Sequence, residues 1–245
     1  MPEHELGITT LFNTYLAGVA NNFLSLVGIH AANPAKPWAN YIVMQILVAI
    51  VLIVLFAFLR SRLSMDRPGK LQHCFEIIYT FLRGQSDEVV GLHGRKHLHL
   101  FLTIFIFILF GNLIGIIPAF ESPTMSPPVP LGCALISFAY YNLMGVREHG
   151  VGRYMAHFAG PIKLMAPLMV PIEIISHLGR LLSLTVRLYA NMFAGEQVTL
   201  VFLSLVPLVV PVAFMGLHIF VSFLQAFVFS LLTMIYVSQA TEHEH

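Results

Sequence analysis

This sequence contains unusually few charged residues. Asp, Glu, Lys and Arg make up only 10% of its 245 residues, whereas about a quarter of the residues of a soluble domain are charged. Apolar residues make up 57%, and the mean hydropathy is strongly positive. So little charge excludes an ordinary soluble domain and predicts an integral membrane protein.

Cysteines and metal-binding patterns are also scarce. The two cysteines, Cys74 and Cys133, lie far apart, and we interpret both as packing residues. The twelve histidines form neither an HExxH motif nor a zinc-finger pattern. The formal net charge is only +1. We therefore expect no metal site, no cofactor and no nucleic-acid partner.

Long uncharged runs fill most of the chain. Residues 41–59 form the first run, which has the length of about 20 residues that a bilayer core requires. Residues 70–92 instead mix apolar and charged side chains, which is typical of a helix that packs on its neighbours without spanning. Further spans are predicted over residues 98–117, 131–144, 164–205 and 209–238. The run at 131–144 is short, and we expect Val129 to extend it or neighbouring protein to cover it. The predicted fold class is an all-α polytopic membrane protein with about five membrane helices.

The last two spans are longer than a membrane requires. A helix over residues 164–205 would measure about 60 Å, whereas the hydrocarbon core is ~30 Å thick. Bends are possible at Pro167, Pro171, Gly179 and Gly195. We expect instead a long, strongly tilted hairpin that crosses the membrane obliquely, with its turn at Val206 and Pro207.

Basic residues are distributed unevenly around these spans. Arg60, Arg62, Arg67 and Lys70 follow the first span, and such clusters stay in the cytoplasm. The loop at residues 119–130 contains no Lys or Arg, as expected on the outer side. We therefore predict a periplasmic N-terminus and a cytoplasmic C-terminus. The acidic start of the chain favours a bacterial inner membrane over an organelle import route.

The first forty residues differ from the rest of the chain. Apolar side chains recur at helical spacing between Leu11 and Leu24, which predicts a short amphipathic helix at a membrane face. We expect a periplasmic or interfacial segment over residues 1–40. Residues 41–245 are expected to form a single membrane domain.

Three charges lie within the first of the two long helices: Arg180, Arg187 and Glu196. An Arg at mid-bilayer costs roughly 2.5–3.5 kcal/mol on insertion scales, so a sequence that keeps one has paired it or put it to use. Arg187 lies too far inside its run to reach the interface by snorkelling, and we interpret it as functional. For Arg180, an interfacial anchor, a partner for Glu173 and a functional role stay open.

Helical geometry divides the polar residues between faces. At about 100° per residue, one stripe contains Glu173, Arg180, Ser183, Arg187 and Asn191. Glu196 points to the opposite side. On the last helix a second stripe contains His218, Ser222, Gln225 and Tyr236. Interhelical hydrogen bonding could explain several of these residues, but Glu196 and His218 are titratable, which favours a proton path.

Two segments give the chain a specific resemblance. Arg187-Leu-Tyr-Ala-Asn-Met-Phe-Ala-Gly-Glu196, followed by His218-Ile-Phe-Val-Ser-Phe-Leu-Gln225, resembles subunit a of the F-type ATP synthase. The likeness extends in order to Pro68-Gly-Lys, to Asn112-Leu-Ile-Gly-Ile-Ile-Pro118 and to Leu231-Leu-Thr-Met-Ile-Tyr236. It covers all but the first forty or so residues.

The resemblance implies a role for each matching residue. In that family the Arg at the position of Arg187 is the stator charge that faces the carboxylates of the rotating c-ring. The positions of Asn191, Glu196, His218 and Gln225 belong to the proton path from the outside, and those of Glu173 and Ser183 to the path on the inside. The implied partners are the c-ring, the subunit b stalk and the lipid bilayer, and the subunit itself is non-catalytic.

Two departures from the family pattern affect the outer channel. Gly115 stands where many relatives carry an acidic residue, and Pro128-Val129-Pro130 replaces a polar segment. The lining of that channel therefore stays open, as do the coupling ion, H⁺ or Na⁺, and the size of the ring. The alternatives are a secondary ion transporter or channel that uses the same charges, and a purely structural membrane scaffold, against which Arg187 argues.

Overall fold

The protein is described by a computed structural model over residues 6–26, 34–64, 68–91, 94–117, 120–152, 166–205 and 209–241. Seven α-helices and no β-strand lie in these ranges. In chain order they are α1 (Gly7–Leu26), α2 (Asn40–Ser61), α3 (Lys70–Val89), α4 (Gly94–Leu113), α5 (Pro128–His149), α6 (Ala166–Leu205) and α7 (Val209–Thr241). Two 3₁₀ turns, Ile114–Ile116 and Pro123–Met125, lie between α4 and α5. The predicted all-α fold is confirmed.

Five of the described helices are long and apolar enough to cross a membrane: α2, the segment formed by α4 with its 3₁₀ turn, α5, α6 and α7. This confirms the expected number of spans. Helix α3 is not among them, because its charged residues lower its hydropathy. Arg67, Val206 and Pro207, on which parts of the predicted topology rest, lie outside the described residues.

Helix α5 is longer than the sequence pattern predicts. It has 22 residues and begins at Pro128, not at Leu131. A proline is tolerated in the first turn because the first backbone N–H groups of a helix have no partner within it. The helix ends at Gly150, whose φ of +76° is readily adopted by glycine. The third span thus extends through Val129, which is one of the two alternatives expected, and α5 has the length to cross the membrane unaided.

The core is formed by the packing of α4 and α5 against the last two helices. Its fully buried side chains include Phe101, Phe105, Ile108, Tyr141, Leu188, Met192, Met234 and Val237. Small hydroxyl side chains join the helices: Ser230 Oγ donates to the Phe101 carbonyl at 3.1 Å, and Ser137 Oγ lies 3.1 Å from Thr233 Oγ1. Such packing and hydrogen bonds between helices replace the hydrophobic driving force that lipid cannot supply.

Helix α6 is a continuous helix of 40 residues, about 60 Å long. It includes Pro171 and passes through Gly179 and Gly195 without a break in the helix assignment. One face packs in the core through Leu184, Leu188 and Met192. The length agrees with the predicted oblique crossing, but its tilt in the membrane stays a prediction.

The N-terminal segment contains the predicted helix. Trp38 ties α1 to the start of α2: its Nε1 donates to the Leu16 carbonyl at 3.0 Å, and its main chain exchanges hydrogen bonds with the Asn13 side chain. Leu11 and Tyr15 lie on the exposed surface of α1. Whether this surface lies on a membrane stays a prediction.

We expect Gly94→Ala to lower the thermal stability of the protein. A Cβ at Gly94 would lie 2.6 Å from both the carbonyl oxygen and the Oγ of Ser86, so α3 and α4 would have to move apart. Overpacking of this kind costs about 1–3 kcal/mol. Gly84→Ala on α3 is the matched control, because nothing lies within 4 Å of its Cβ position. Thermal unfolding in detergent compares the two variants, and equal melting temperatures would contradict this packing.

Candidate functional site

Arg187 lies near the middle of α6 and is only half-buried. Its Nη2 is 3.4 Å from Ser183 Oγ, a long hydrogen bond within the predicted stripe. Within the described ranges, no carboxylate lies within ion-pair distance of its guanidinium. A group that never loses its charge is thus held in an apolar region without a counter-ion from its own described chain.

The surface of α6 beside Arg187 is exposed and built largely from small side chains. It includes Ser176, Gly179, Ser183, Ala190, Asn191 and Ala194, which alternate with exposed apolar residues such as Leu182 and Val186. Small residues let another helix approach closely within a membrane. The arrangement therefore suits a close helical neighbour that would meet Arg187 from the side.

A second group of polar side chains lies further along α6. A Cβ on Gly195 would be 3.5 Å from His218 Nδ1, so the imidazole of α7 lies directly against α6 at this point. Asn112, at the end of α4, lies beside the same part of α7, because its Nδ2 is 3.4 Å from the carbonyl of Ser222, one turn beyond His218. Glu196 follows immediately on α6. Three chain segments that are distant in sequence thus meet at His218.

The group around His218 contains buried polar atoms without hydrogen-bond partners in the described ranges. Glu196 Oε2, His218 Nε2 and Ser222 Oγ are all buried with no hydrogen-bond partner among the described residues. Buried polar groups are nearly always hydrogen-bonded, and exceptions mark functional sites or water positions. These three atoms can therefore form hydrogen bonds with water, and the side chains of Glu196 and His218 can also take up a proton.

Glu121 lies near this group. The sequence pattern had shown only that it is in a loop. Its carboxylate is close enough to that of Glu196 for their charges to interact. Its Oε2 also accepts a hydrogen bond from Asn40 Nδ2 at 3.3 Å. The one available signal was that it is the only charged residue in a loop without Lys or Arg.

The same loop is fixed to the end of α4. Ser122 Oγ donates to the Gly111 carbonyl at 2.9 Å, and Thr124 Oγ1 donates to Asn112 Oδ1 at 2.6 Å. A Cβ on Gly115 would lie 3.0 Å from the nitrogen of Ser122, so a larger side chain there would displace the loop. This close approach gives the physical reason for a glycine at the position where the family pattern has an acid.

A third group lies toward the start of α6. His177 Nε2 is 3.3 Å from Glu173 Oε1, and His177 Nδ1 is 2.7 Å from the hydroxyl of Tyr141 on α5. The two aromatic rings are also stacked, with their centroids 5.7 Å apart. Sequence reasoning found Glu173 but missed His177. Its i, i+4 spacing from Glu173 was the signal that could have identified it.

Arg180 is linked to this same group through Tyr236. Its guanidinium lies over the ring of Tyr236 on α7, 5.1 Å from the centroid, and Tyr236 in turn contacts Tyr141. This is cation–π geometry. Among the described residues Arg180 makes no ion pair with Glu173, so that interpretation of Arg180 is wrong.

Two predicted path residues are not joined to these groups. Asn191 is exposed on α6, Gln225 is half-buried on α7, and neither makes a hydrogen bond in the described ranges. The same ranges contain no cluster of three His, Cys, Asp or Glu side chains that could hold a metal ion. The polar residues thus form one group around His218 and another around His177, with Arg187 between them along α6.

Known proteins show what this chain is similar to. The family model of the ATP synthase A chain matches residues 42–238. The chain is 60% identical to the ATP synthase subunit a of Solibacter usitatus (strain Ellin6076) over 235 residues, 96% of this chain and 100% of that relative. It is 47% identical to the ATP synthase subunit a of Koribacter versatilis (strain Ellin345) over 242 residues, 99% of each. The chain belongs to the ATP synthase A chain family.

Proposed function

We propose that this chain is the proton-translocating stator subunit of the membrane sector of an F-type ATP synthase. In this role it provides two offset half-channels and couples proton flow to c-ring rotation and ATP synthesis, without itself being catalytic. The observation that carries the proposal is Arg187, a permanent charge in the middle of an apolar helix that lacks a carboxylate partner in the described ranges. The relatives, which are named ATP synthase subunit a, support it.

Arg187 would act on the carboxylates of the c-ring. A ring carboxylate that faces lipid is most stable when neutral, because charge is costly there. When it reaches Arg187, the positive guanidinium favours its ionised form, and the proton is released. The small side chains beside Arg187 would let the ring helices approach closely enough for this interaction.

Separation along α6 supports two half-channels. Glu173 and Glu196 are 23 residues apart in one continuous helix, which corresponds to ~35 Å along its axis. This distance is comparable to the ~30 Å thickness of the hydrocarbon core. The two carboxylates would therefore serve opposite sides of the membrane, with the fixed charge of Arg187 between them to prevent a direct proton leak.

Each half-channel has its own set of residues. We assign Glu196, His218, Gln225 and Asn191 to the outer path, where Glu121 supplies a further carboxylate near Glu196. We assign Glu173 and Ser183 to the inner path. The partnerless buried atoms of Glu196 and His218 support the outer assignment, because a proton path requires groups that can accept new hydrogen bonds.

The proposed setting is a cell inner membrane with a periplasmic N-terminus and a cytoplasmic C-terminus. The c-ring and the subunit b stalk are the proposed partners. The same buried charges would serve a secondary ion transporter, but the family match covers most of the membrane domain and favours the stator role. Co-purification with a ring of small two-helix subunits would support it further.

We expect Arg187→Ala to reduce ATP-driven proton pumping to background, because no other charge at this position can favour release of the ring proton. Assembly of the complex should persist, since Arg187 makes only one long hydrogen bond to its own described chain. Arg95→Ala is the control, because Arg95 is an exposed arginine that pairs with Asp87 at 3.6 Å on α3. Acidification of inverted membrane vesicles measures pumping. Normal pumping by Arg187→Ala in an assembled complex would exclude the assignment.

We expect Glu196→Gln and His218→Ala to slow proton flux while the complex still assembles. Each change removes a titratable group from the outer path but not the stator charge. A loss of about 10²-fold or more is of the size expected when a proton-transfer group is removed. Glu88→Gln and His99→Ala are matched controls at exposed positions. Flux is measured through the membrane sector after removal of the catalytic part, and native rates in both variants would remove these residues from the path.

A further inference from the structure

We infer that His177 is a proton relay of the inner half-channel, which passes protons between the hydroxyl of Tyr141 and the carboxylate of Glu173. This inference rests on the proposed function, because it supplies a further residue for the inner path. The family resemblance assigned no role to His177. The inference depends on the contacts of both ring nitrogens and on the position of the ring between a buried and an exposed group.

Both ring nitrogens have partners that can exchange protons. Nδ1 lies 2.7 Å from the Tyr141 hydroxyl, and Nε2 lies 3.3 Å from Glu173 Oε1. An imidazole can take a proton on one nitrogen while it gives up the proton on the other. A histidine that served only to fill space would not need a proton donor or acceptor at each end.

Burial decreases along this chain of contacts. Tyr141 is only 2% exposed, whereas the side chains of His177 and Glu173 are 13% and 36% exposed. The three groups thus lead from the core toward the surface. Glu173 also lies one helical turn nearer than His177 to the start of α6, which is the proposed inner side. A proton that passed from Tyr141 through His177 to Glu173 would therefore reach the inner surface.

The proton transfer balances at each atom. Water that carries the proton released by a ring carboxylate at Arg187 protonates the hydroxyl oxygen of Tyr141, and Tyr141 gives its own hydroxyl proton to Nδ1 of the ring. Nε2 then releases its proton to Oε1 of Glu173, and the carboxylic acid loses that proton to water at the inner side. Rotation of the ring about its Cβ–Cγ bond then carries Nδ1 away from Tyr141. There Nδ1 loses its proton to water from the inner side while Nε2 takes one from that water, which restores the starting tautomer without reversing the transfer. No oxidant, reductant or metal takes part.

The surroundings hold the plane of the ring, which a half-turn about the Cβ–Cγ bond preserves. Tyr141 stacks on the imidazole, and Phe138 on α5 meets it edge-on at 6.4 Å between centroids. Among the described residues, the charged and titratable groups that contact this set are Glu173 and Arg180 on α6, Tyr141 on α5 and Tyr236 on α7. With Arg180 over Tyr236, a fixed positive charge is held close to the relay, while Glu173 remains in contact with the ring.

The test uses His177→Ala and His177→Gln in the assembled complex in membrane vesicles. Glutamine can still hydrogen-bond Tyr141 but cannot carry a proton, so both variants should lower passive proton flux through the membrane sector by about tenfold or more. Free imidazole, added on the inner side, should restore flux to His177→Ala by occupying the space of the missing ring. A morpholine buffer at the same concentration and pH should not.

His97→Gln and His97→Ala are the matched controls. His97 is buried on α4 and is 2.8 Å from the hydroxyl of Tyr140, the neighbour of Tyr141 on α5. We expect native flux and no effect of imidazole in these variants. The same loss and rescue in the His97 variants would contradict a role specific to His177.

Two results would overturn the relay. One is native flux in His177→Gln, which would show that the ring only fills space. The other is an assembled His177→Ala complex whose reduced flux does not respond to imidazole. Either result would leave the stator role intact as long as Arg187→Ala abolishes pumping. Normal pumping by Arg187→Ala would instead remove the proposed function on which the relay rests.

Discussion

A permanent positive charge inside an apolar helix is the constraint on which the rest of this structure depends. Arg187 cannot become neutral, and the described chain offers it only Ser183 at 3.4 Å. Such a charge is tolerated when a partner from outside the chain supplies its counter-ion. The exposed small-residue surface next to Arg187 gives that partner access. An acidic neighbour in the membrane would supply the missing counter-ion, and in the proposed function the c-ring is that neighbour.

The length and continuity of α6 place further polar groups on either side of Arg187. Because α6 has 40 residues, one element carries Glu173 and His177, then Arg187, and then Glu196. The helices that pack on it complete each end: α5 brings Tyr141 to His177, and α7 brings His218 against Gly195. Polar groups at the two ends are therefore kept apart by the rigidity of one helix, with Arg187 between them.

The sequence predicted the helices better than the contacts between them. Uncharged runs were enough to predict the number of spans, because the cost of burying charge in lipid is large. The third span was expected to be extended by Val129 or covered by protein, and the extension is found, because proline is tolerated in the first turn, where Pro128 lies. Helical spacing placed Ser183 beside Arg187 correctly. It could not show that Glu121 approaches Glu196 or that Tyr141 meets His177, because periodicity gives the face of a residue and not the segment that packs on it.

Cysteine cross-linking between α6 and the c-ring tests the central claim most directly. In a complex whose Cys74 and Cys133 are replaced by serine, single cysteines at exposed Ser183, Ala190 and Ala194 are each combined with a cysteine beside the ring carboxylate. We expect disulfides to form from these positions, and none from Thr185 or Leu188, which are buried in the core. Cross-linking from the buried positions, or from none of the exposed ones in an assembled complex, would contradict the placement of Arg187 opposite the ring.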